Sequence, residues 1–302
     1  MRCQLAQVII FATACLLALE PKADAQTLVP DIQAERYCPF SSASNLTAPS
    51  DSEISIAAVT FSGFLQMSIS DQEQIAALIK QRTYRTSLDD VADEALELAR
   101  LGWQDRGYVK AQVNGYMTTS ASTAVGQRFA LSVNVDEGIR YRLGEVTFTH
   151  NKAVSNVKVL RALFPIKDGD IFSRKKVAEG LENLRYAYGE LGYVNFTAVP
   201  DIHLDDEHRT ISVDVDVNEG RQFYVSSVNV LGLDEHSSEQ ELKDLLLKRG
   251  DVYNQRLARL FLEKHAPLLP PGVLTESRIH LQPDERTATV AVSFDFRSCP
   301  VY

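Results

Sequence analysis

Residues 141–221 read YRLGEVTFTHNKAVSNVKVLRALFPIKDGDIFSRKKVAEGLENLRYAYGELGYVNFTAVPDIHLDDEHRTISVDVDVNEGR, and this stretch decides the fold. It opens with a short apolar run typical of a strand, and two helical patterns follow. From Ile211 to Val217 apolar and polar residues alternate, which is typical of a strand with one buried face. The clearer helix follows a candidate N-cap, Ser173, and places these apolar residues on one face: Val177, Leu181, Leu184, Tyr188 and Leu191.

Four short motifs in this stretch recur elsewhere in the chain, at a period of about 82 residues. The first copy lacks a clear Gly-Asp motif, and the third lacks Gly-Tyr. The motifs and their counterparts are Val146-Thr147-Phe148 with Val59-Thr60-Phe61 and Val228-Asn229-Val230, Gly169-Asp170-Ile171-Phe172 with Gly250-Asp251-Val252-Tyr253, Gly192-Tyr193 with Gly107-Tyr108, and Asn218-Glu219-Gly220 with Asp136-Glu137-Gly138.

This repetition predicts an α+β fold of three tandem β-α-α-β-β domains. Two amphipathic helices should cover one face of each three-stranded mixed sheet. We assign the domains to residues 53–139, 140–221 and 222–299. In the first and third, capping boxes at Ser70 with Glu73 and at Ser238 with Glu241 predict the first helix. A strand from Val109 and a turn over 118–126 should follow in the first domain.

The N-terminal region has the features of an export signal. Arg2 is followed by an apolar run, Val8 to Leu19, and by Ala23-Asp24-Ala25, which matches a cleavage site. We expect residues 1–25 to be a signal peptide and 26–52 a flexible tail, so the mature chain should be exported. A lipoprotein signal at Cys15 is less favoured because the apolar run continues past it.

Charge and cysteine content narrow the partners. A formal charge of −9 with a pI near 5.2 argues against nucleic acid, which requires a dense basic face. Once the signal is removed, only Cys38 and Cys299 remain. In an oxidising compartment they could pair within the chain, pair between chains or stay unpaired, and the sequence leaves all three open.

We find no pattern typical of a catalytic, metal or cofactor site. The histidines are scattered singly, and no metal-binding, nucleophile-elbow or phosphate-loop spacing occurs. The run Asp205 to His208 lies between two strands, where a solvated hairpin turn is favoured over a metal cluster. We therefore predict a protein that is not an enzyme, with no cofactor and no small-molecule substrate.

The repeat resembles the POTRA (polypeptide-transport-associated) domain of the Omp85 family. The resemblance covers roughly Ile54 to Phe296 and is most complete in the second copy, through Gly169-Asp170, Gly192-Tyr193 and Glu219-Gly220. It implies domains that precede an outer-membrane barrel and help to deliver barrel proteins or secreted substrates. With the export signal, it also implies a location in the periplasm, associated with the outer membrane. Because the sequence stops at Tyr302, where that barrel would begin, we expect an array that works without a barrel of its own.

The resemblance also implies where a peptide would bind. A three-stranded sheet has two edges, and the unpaired N–H and C=O groups of an edge accept an extended chain almost regardless of its side chains. In the POTRA fold the second strand is an edge, so the implied peptide-binding residues are Val194, Asn195, Phe196, Thr197, Ala198 and Val199.

Three functions remain open at this point. The leading hypothesis is a binding scaffold in outer-membrane protein assembly or secretion, whose partners are unfolded outer-membrane protein clients and an outer-membrane β-barrel protein or assembly-machinery subunit. The second is a periplasmic structural or division-type interaction module with one defined partner. The third is a truncated Omp85 protein.

Overall fold

The computed structural model describes residues 54–84, 87–123, 126–270 and 275–297. The expected signal peptide, the tail, Cys38 and Cys299 lie outside these residues. Within them, none of the helices combines the length and apolar character that a membrane span requires.

The secondary structure follows the predicted order of strand, helix, helix, strand and strand in the second and third repeats, and the first repeat adds a two-residue strand between its helices. The first domain contains β1 (Ile54–Ser62), α1 (Ile69–Lys80), β2 (Thr83–Tyr84), α2 (Leu88–Gln104), β3 (Gln112–Thr123) and β4 (Gly126–Asp136). The second contains β5 (Arg142–Thr149), α3 (Val157–Ala162), α4 (Arg174–Glu190), β6 (Thr197–Asp205) and β7 (Thr210–Asn218). The third contains β8 (Tyr224–Leu231), α5 (Glu235–Leu242), α6 (Gln255–Lys264), β9 (Ile279–Asp284) and β10 (Thr289–Asp295), with short 3₁₀ helices at Ala266–Leu268 and Thr275–Arg278.

Each domain has its own mixed sheet, which confirms the predicted fold class. The strand orders are β2-β1-β4-β3, β5-β7-β6 and β8-β10-β9. In every sheet the last strand is central: it pairs parallel with the first strand and antiparallel with its hairpin partner. The first sheet differs by its fourth strand, the two-residue β2, which pairs with the start of β1. The assigned domain ends stay predictions.

The apolar residues form three separate cores, one for each domain. The alternating residues of the central strands supply each core, as predicted, and the helices cover it from one side. Trp103, at the end of α2, is fully buried in the first core and packs edge-on against Phe61. A small domain buries a limited fraction of its surface, so contacts between neighbouring domains are expected to matter for stability.

Two predicted helix starts are wrong by a few residues. The N-cap of α1 is Ser68, whose hydroxyl accepts from the Asp71 N–H at 3.1 Å, so the capping pair is Ser68 with Asp71. The N-cap of α5 is Asp234, which accepts from the Ser237 N–H at 3.0 Å. A hydroxyl in α1 and a carboxylate in α5 accept from a free helix N–H, and these N-caps lie two and four residues before the predicted serines.

The strands around the first hairpin also differ from prediction. β3 begins at Gln112 rather than Val109, and it continues to Thr123, so most of the predicted turn over 118–126 is strand. Threonine and serine can occupy a strand as well as a turn, and the β-branched threonines favour the extended conformation. The hairpin is therefore longer than the sequence indicated.

A buried glutamate anchors the loop after β1 to the end of α2. Glu137 is 2% exposed, and its carboxylate accepts from the Gln66 N–H at 2.6 Å, the Met67 N–H at 3.2 Å and the Trp103 indole N–H at 2.9 Å. These donors would lack partners inside the protein if the carboxylate were absent. The glutamate of the Glu-Gly motif in the first domain therefore holds the loop after β1 against the end of α2.

The second domain repeats this contact with a tyrosine in place of tryptophan. Glu219 accepts from the Ala153 N–H at 2.8 Å and from the Tyr188 hydroxyl at 3.1 Å. Burial, together with the hydrogen bond to Glu219, raises the pKa of the Tyr188 hydroxyl far above its ordinary value, so it remains a donor. In the third domain the residue after β10 is Phe296, which packs into the core instead.

Replacing the first of these glutamates should destabilise the first domain. We expect Glu137→Ala to lower its free energy of unfolding by about 3 kcal/mol, because two buried donors and one partly buried donor lose a charged acceptor. Trp103 is the chain's single tryptophan, so urea unfolding followed by its fluorescence reports on this domain alone. Glu73→Ala, an exposed position on α1, is the matched control. Equal midpoints for the two variants would contradict this role.

Candidate peptide-binding edge and the domain joints

Each domain has a free edge formed by the first strand of its closing hairpin. β3, β6 and β9 pair with the central strand on one side, and no other described strand pairs with them on the other. The backbone groups along these outer sides are thus available to a further strand. The predicted binding strand, β6, is one of these edges.

β6 begins three residues later than predicted. Thr197, Ala198 and Val199 lie in the strand, whereas Val194, Asn195 and Phe196 form the turn before it.

Three residues of this edge strand expose apolar side chains: Val199, Ile202 and Leu204, which are 64%, 44% and 43% exposed. They are spread along the strand, on both of its faces. Pro200 interrupts the edge, since it has no N–H to offer a partner strand. The free edge is therefore divided into Thr197–Val199 and 201–205.

Sequence reasoning missed the second half of this edge, which is acidic and carries a histidine. Asp201 and Asp214 lie directly opposite each other on β6 and β7. Nε2 of His203 lies 3.4 Å from a carboxylate oxygen of Asp201 and 3.1 Å from one of Asp214. The length of β7, nine residues, could have indicated this second half of β6, because the two strands of a hairpin have similar lengths.

The three residues before β6 belong to the joint with the third domain. Val194 packs against the third core, and the Asn195 amide donates to the Glu285 carboxylate in the β9–β10 turn. Phe196 is 6% exposed and stacks on Tyr188 with ring centroids 4.2 Å apart. A glycine turn after α4 directs these residues away from the edge, so the prediction that they form part of the strand is wrong.

Backbone hydrogen bonds form the centre of this joint. The Gly192 carbonyl accepts from the Phe223 N–H, and the Phe223 carbonyl accepts from the Tyr253 N–H, each at 2.9 Å. Tyr224 and Val252 add an isolated β-bridge. The end of α4 in one domain is thereby connected to the first strand of the next domain and to the Gly-Asp-Val-Tyr motif.

The joint between the first and second domains has the same contacts. The Gly107 carbonyl accepts from the Tyr141 N–H at 2.8 Å, and the Tyr141 carbonyl accepts from the Phe172 N–H at 3.1 Å. Arg142 and Ile171 form the matching bridge. The recurring Gly-Tyr and Gly-Asp motifs are therefore the two halves of each joint, a role that sequence reasoning did not assign.

A charged contact reinforces this first joint. Asp206, in the β6–β7 turn, accepts from the Lys110 ammonium at 2.6 and 2.8 Å and from the Tyr141 hydroxyl at 2.6 Å. The hydrogen bond from Lys110, followed by that from Tyr141, lowers the pKa of the Asp206 carboxyl below its ordinary value. The run predicted to be a solvated hairpin turn thus also contacts the preceding domain. Among the described residues no cluster of His, Cys, Asp and Glu is arranged to hold a metal ion.

The second domain matches a known domain family. Residues 141–220 match the model of the POTRA family, which is described as a surface antigen variable number repeat. The second domain is a POTRA domain. The three-domain array has the fold of POTRA domains 3 to 5 of BamA from Haemophilus influenzae, with a TM-score of 0.63 at 19% identity, over 83% of this chain and 98% of that one.

Sequence relatives agree with this assignment. A protein of Treponema pallidum (strain Nichols), named as an outer membrane protein assembly factor, is 30% identical over 178 residues, which are 57% of this chain and 21% of the relative. BamA of Neisseria meningitidis serogroup B is 22% identical over 210 residues, 66% of this chain and 26% of the relative. The chain thus spans about a fifth to a quarter of these relatives. The predicted resemblance to the POTRA arrays of the Omp85 family is confirmed.

Alanine substitution of Gly192, with Gly250 as the control, tests whether the second joint fixes the orientation of the two domains that it connects. Gly192 and Gly250 have φ of 85° and 91°, so alanine strains the backbone at either position by about 1 to 2 kcal/mol. A Cβ on Gly192 would also lie 2.6 Å from the Val252 side chain, whereas one on Gly250 meets nothing within 4 Å. We expect Gly192→Ala, but not Gly250→Ala, to broaden the interatomic distance distribution in small-angle X-ray scattering. Identical distributions for the two variants would contradict this role of Gly192.

The charged contact of the first joint should be visible in a titration. The pKa of Asp206 is lower in the folded protein than in the unfolded chain, where it is about 3.9. The stabilisation that Asp206 contributes is therefore present above pH 3.9 and is lost as the pH falls through the folded pKa. Carbon-detected NMR of the Asp206 carboxyl should give a pKa below 3.9 in the wild type and a higher one in Lys110→Gln. An unchanged pKa would show that the contact does not form in solution.

Proposed function

We propose that this protein is an exported, non-enzymatic POTRA scaffold that takes part in outer-membrane protein assembly or secretion in the periplasm. It binds extended strands of unfolded outer-membrane proteins, a separate Omp85-type barrel or assembly subunit, or both. The observation that carries the proposal is the free outer edge of β6, with exposed apolar side chains at Val199, Ile202 and Leu204.

The edge has the physical properties that a transient carrier of unfolded strands requires. A strand added beside β6 would pair with backbone N–H and C=O groups, which are the same in every sequence. Each such hydrogen bond contributes only about 0.5 to 1.5 kcal/mol, and Pro200 limits how many can form in one run. Binding should therefore be weak, reversible and tolerant of sequence.

The relatives and the N-terminal sequence support the location and the partners. The similar proteins are named as outer membrane protein assembly factors, and the solved array belongs to BamA. Residues 1–25 have the pattern of a signal peptide, which would deliver the chain to the compartment where unfolded barrel proteins are found.

A second candidate is a structural or division-type module that pairs with one defined partner. The half of the edge over 201–205 favours it, because two aspartates and a histidine give that segment a charge pattern that a particular partner could match. This candidate predicts selective binding, whereas the scaffold predicts binding to many unrelated strands.

Photo-crosslinking tests the two candidates together. Residues 26–302 would carry p-benzoylphenylalanine either at Val199 on the edge or at Val159 on α3, an exposed control position in the same domain. Peptides from several unrelated barrel strands, and scrambled polar peptides, would be offered to each. We expect capture of most barrel peptides at position 199 and little at position 159.

Two results would count against the scaffold. Equal capture at the two positions, or no capture of any barrel peptide, would contradict binding at the β6 edge. Capture restricted to one peptide would favour the module with a single partner. As a further check, Val199→Lys should weaken capture from a crosslinker at Thr197, because a charge on an edge strand disfavours strand addition.

A further inference from the structure

A cavity of about 260 Å³ lies at the joint between the second and third domains. Its walls come from α4, the turn before β6, the start of α6 and the edge strand β9. The residues on which its chemistry depends are Arg185, Tyr186, Tyr253, Arg259, Ile279 and Leu281. Val194 and Phe196, which the sequence assigned to peptide binding, also line it.

The cavity has the size of one large side chain rather than of a whole small molecule. Pockets that bind drug-sized ligands usually measure about 300 to 1,000 Å³. The rings of Tyr186, Phe196 and Tyr253, with the aliphatic side chains of Ile279 and Leu281, give this cavity apolar walls. An aromatic or large aliphatic side chain therefore fits its volume and its lining.

Two arginines line the cavity although the chain as a whole carries −9. Arg185 and Arg259 lie 4.6 and 5.7 Å from the centre of the Tyr186 ring, one from each domain. Each also meets a carboxylate on its own helix, Glu182 at 2.8 Å and Glu263 at 3.3 Å. Among the residues that the structure describes, no carboxylate lines the cavity itself, and guanidinium donors remain for an anion that enters it.

Two side chains that line this cavity carry hydrogen-bond donors: Tyr253 and Arg259. Tyr253 is 2% exposed and lines the cavity. Burial raises the pKa of its hydroxyl, so the hydroxyl remains a neutral donor. Nε of Arg259 is buried and lies 3.3 Å from a Glu263 carboxylate oxygen, outside hydrogen-bond geometry. Both side chains can therefore donate to an acceptor that enters the cavity.

The position of the cavity connects it to a free sheet edge. Ile279 and Leu281 lie two residues apart on β9, on one face of the strand, and both line the cavity. A strand added along the open side of β9 would therefore present alternate side chains to the cavity mouth. The side chains of residues i and i+2 of such a strand would both face the mouth of the cavity.

We propose that this joint cavity is a selective pocket for an extended partner segment of the form aromatic-x-acidic or acidic-x-aromatic. The aromatic side chain fills the cavity, and the carboxylate two residues away accepts from the Arg185 and Arg259 guanidinium groups. This inference rests on the proposed binding of extended strands and adds a sequence preference to it. The third domain, rather than β6 alone, then selects among clients.

A fluorescence anisotropy experiment on residues 26–302 tests this pocket. The probes are short labelled peptides that alternate apolar and polar residues and differ at two positions: Phe-x-Asp, Phe-x-Asn and Ala-x-Asp. We expect Phe-x-Asp to bind the wild type about tenfold more tightly than either of the others, as one charge-assisted hydrogen bond in a partly buried site allows.

Variants of the two domains locate the effect. Arg259→Gln and Arg185→Gln should each remove most of the preference for Asp over Asn. Arg249→Gln, which removes an exposed arginine elsewhere in the third domain, should keep it. Tyr253→Phe should weaken binding of Phe-x-Asp without changing the far-ultraviolet circular dichroism. Because the arginines lie on different domains, misfolding of one variant leaves the other as the test.

The possible failures are distinguishable. If all three peptides bind the wild type equally, or if Arg249→Gln loses the preference as fully as Arg259→Gln, the pocket is overturned while strand binding stands. If the free aspartate side chain alone, supplied as acetate, competes as well as the peptide, the site holds a small anion and the proposal is overturned. If no peptide binds the wild type, the proposed function fails along with it.

Discussion

The arrangement of the three domains depends on a repeated pair of backbone hydrogen bonds. The carbonyl of a glycine just after one domain's second helix accepts from the backbone N–H of the residue that precedes the first strand of the next domain. The carbonyl of that residue accepts in turn from the aromatic residue of the Gly-Asp-x-aromatic motif in its own domain. The glycines have positive φ and lie close to the neighbouring side chains, so a larger residue does not fit there. Because these bonds occupy the ends of the helices, the hairpin edges of the sheets stay uncovered.

This arrangement explains how one fold can couple domains and bind extended chains. The joints use backbone groups at helix ends and turns, whereas a further strand would use the backbone groups of β3, β6 or β9. The β6–β7 and β9–β10 turns contact the preceding domain through Asp206 and Glu285, so they hold one end of each edge in place. A fixed edge loses less conformational entropy when a strand is added.

Sequence periodicity predicted the order of the elements and the separate cores, because alternation along Ile211–Val217 and helical spacing along α4 follow directly from burial. It placed the start of β6 three residues early, since Val194 and Phe196 are apolar and read as strand. Phe196 is buried against Tyr188 in the second core, and Val194 packs against the third core, contacts that only folding creates. The joint cavity was unpredictable for the same reason: Arg185 and Arg259 are far apart in sequence and meet at one tyrosine ring.

The most direct test of the account is amide hydrogen exchange of residues 26–302 with and without an unfolded barrel-strand peptide. If an added strand pairs with the free edge, the peptide should slow exchange within Thr197–Asp205 and leave the central strand β7, already paired on both sides, unchanged. Binding that leaves the β6 amides unprotected and slows exchange only on the helices would contradict the central claim.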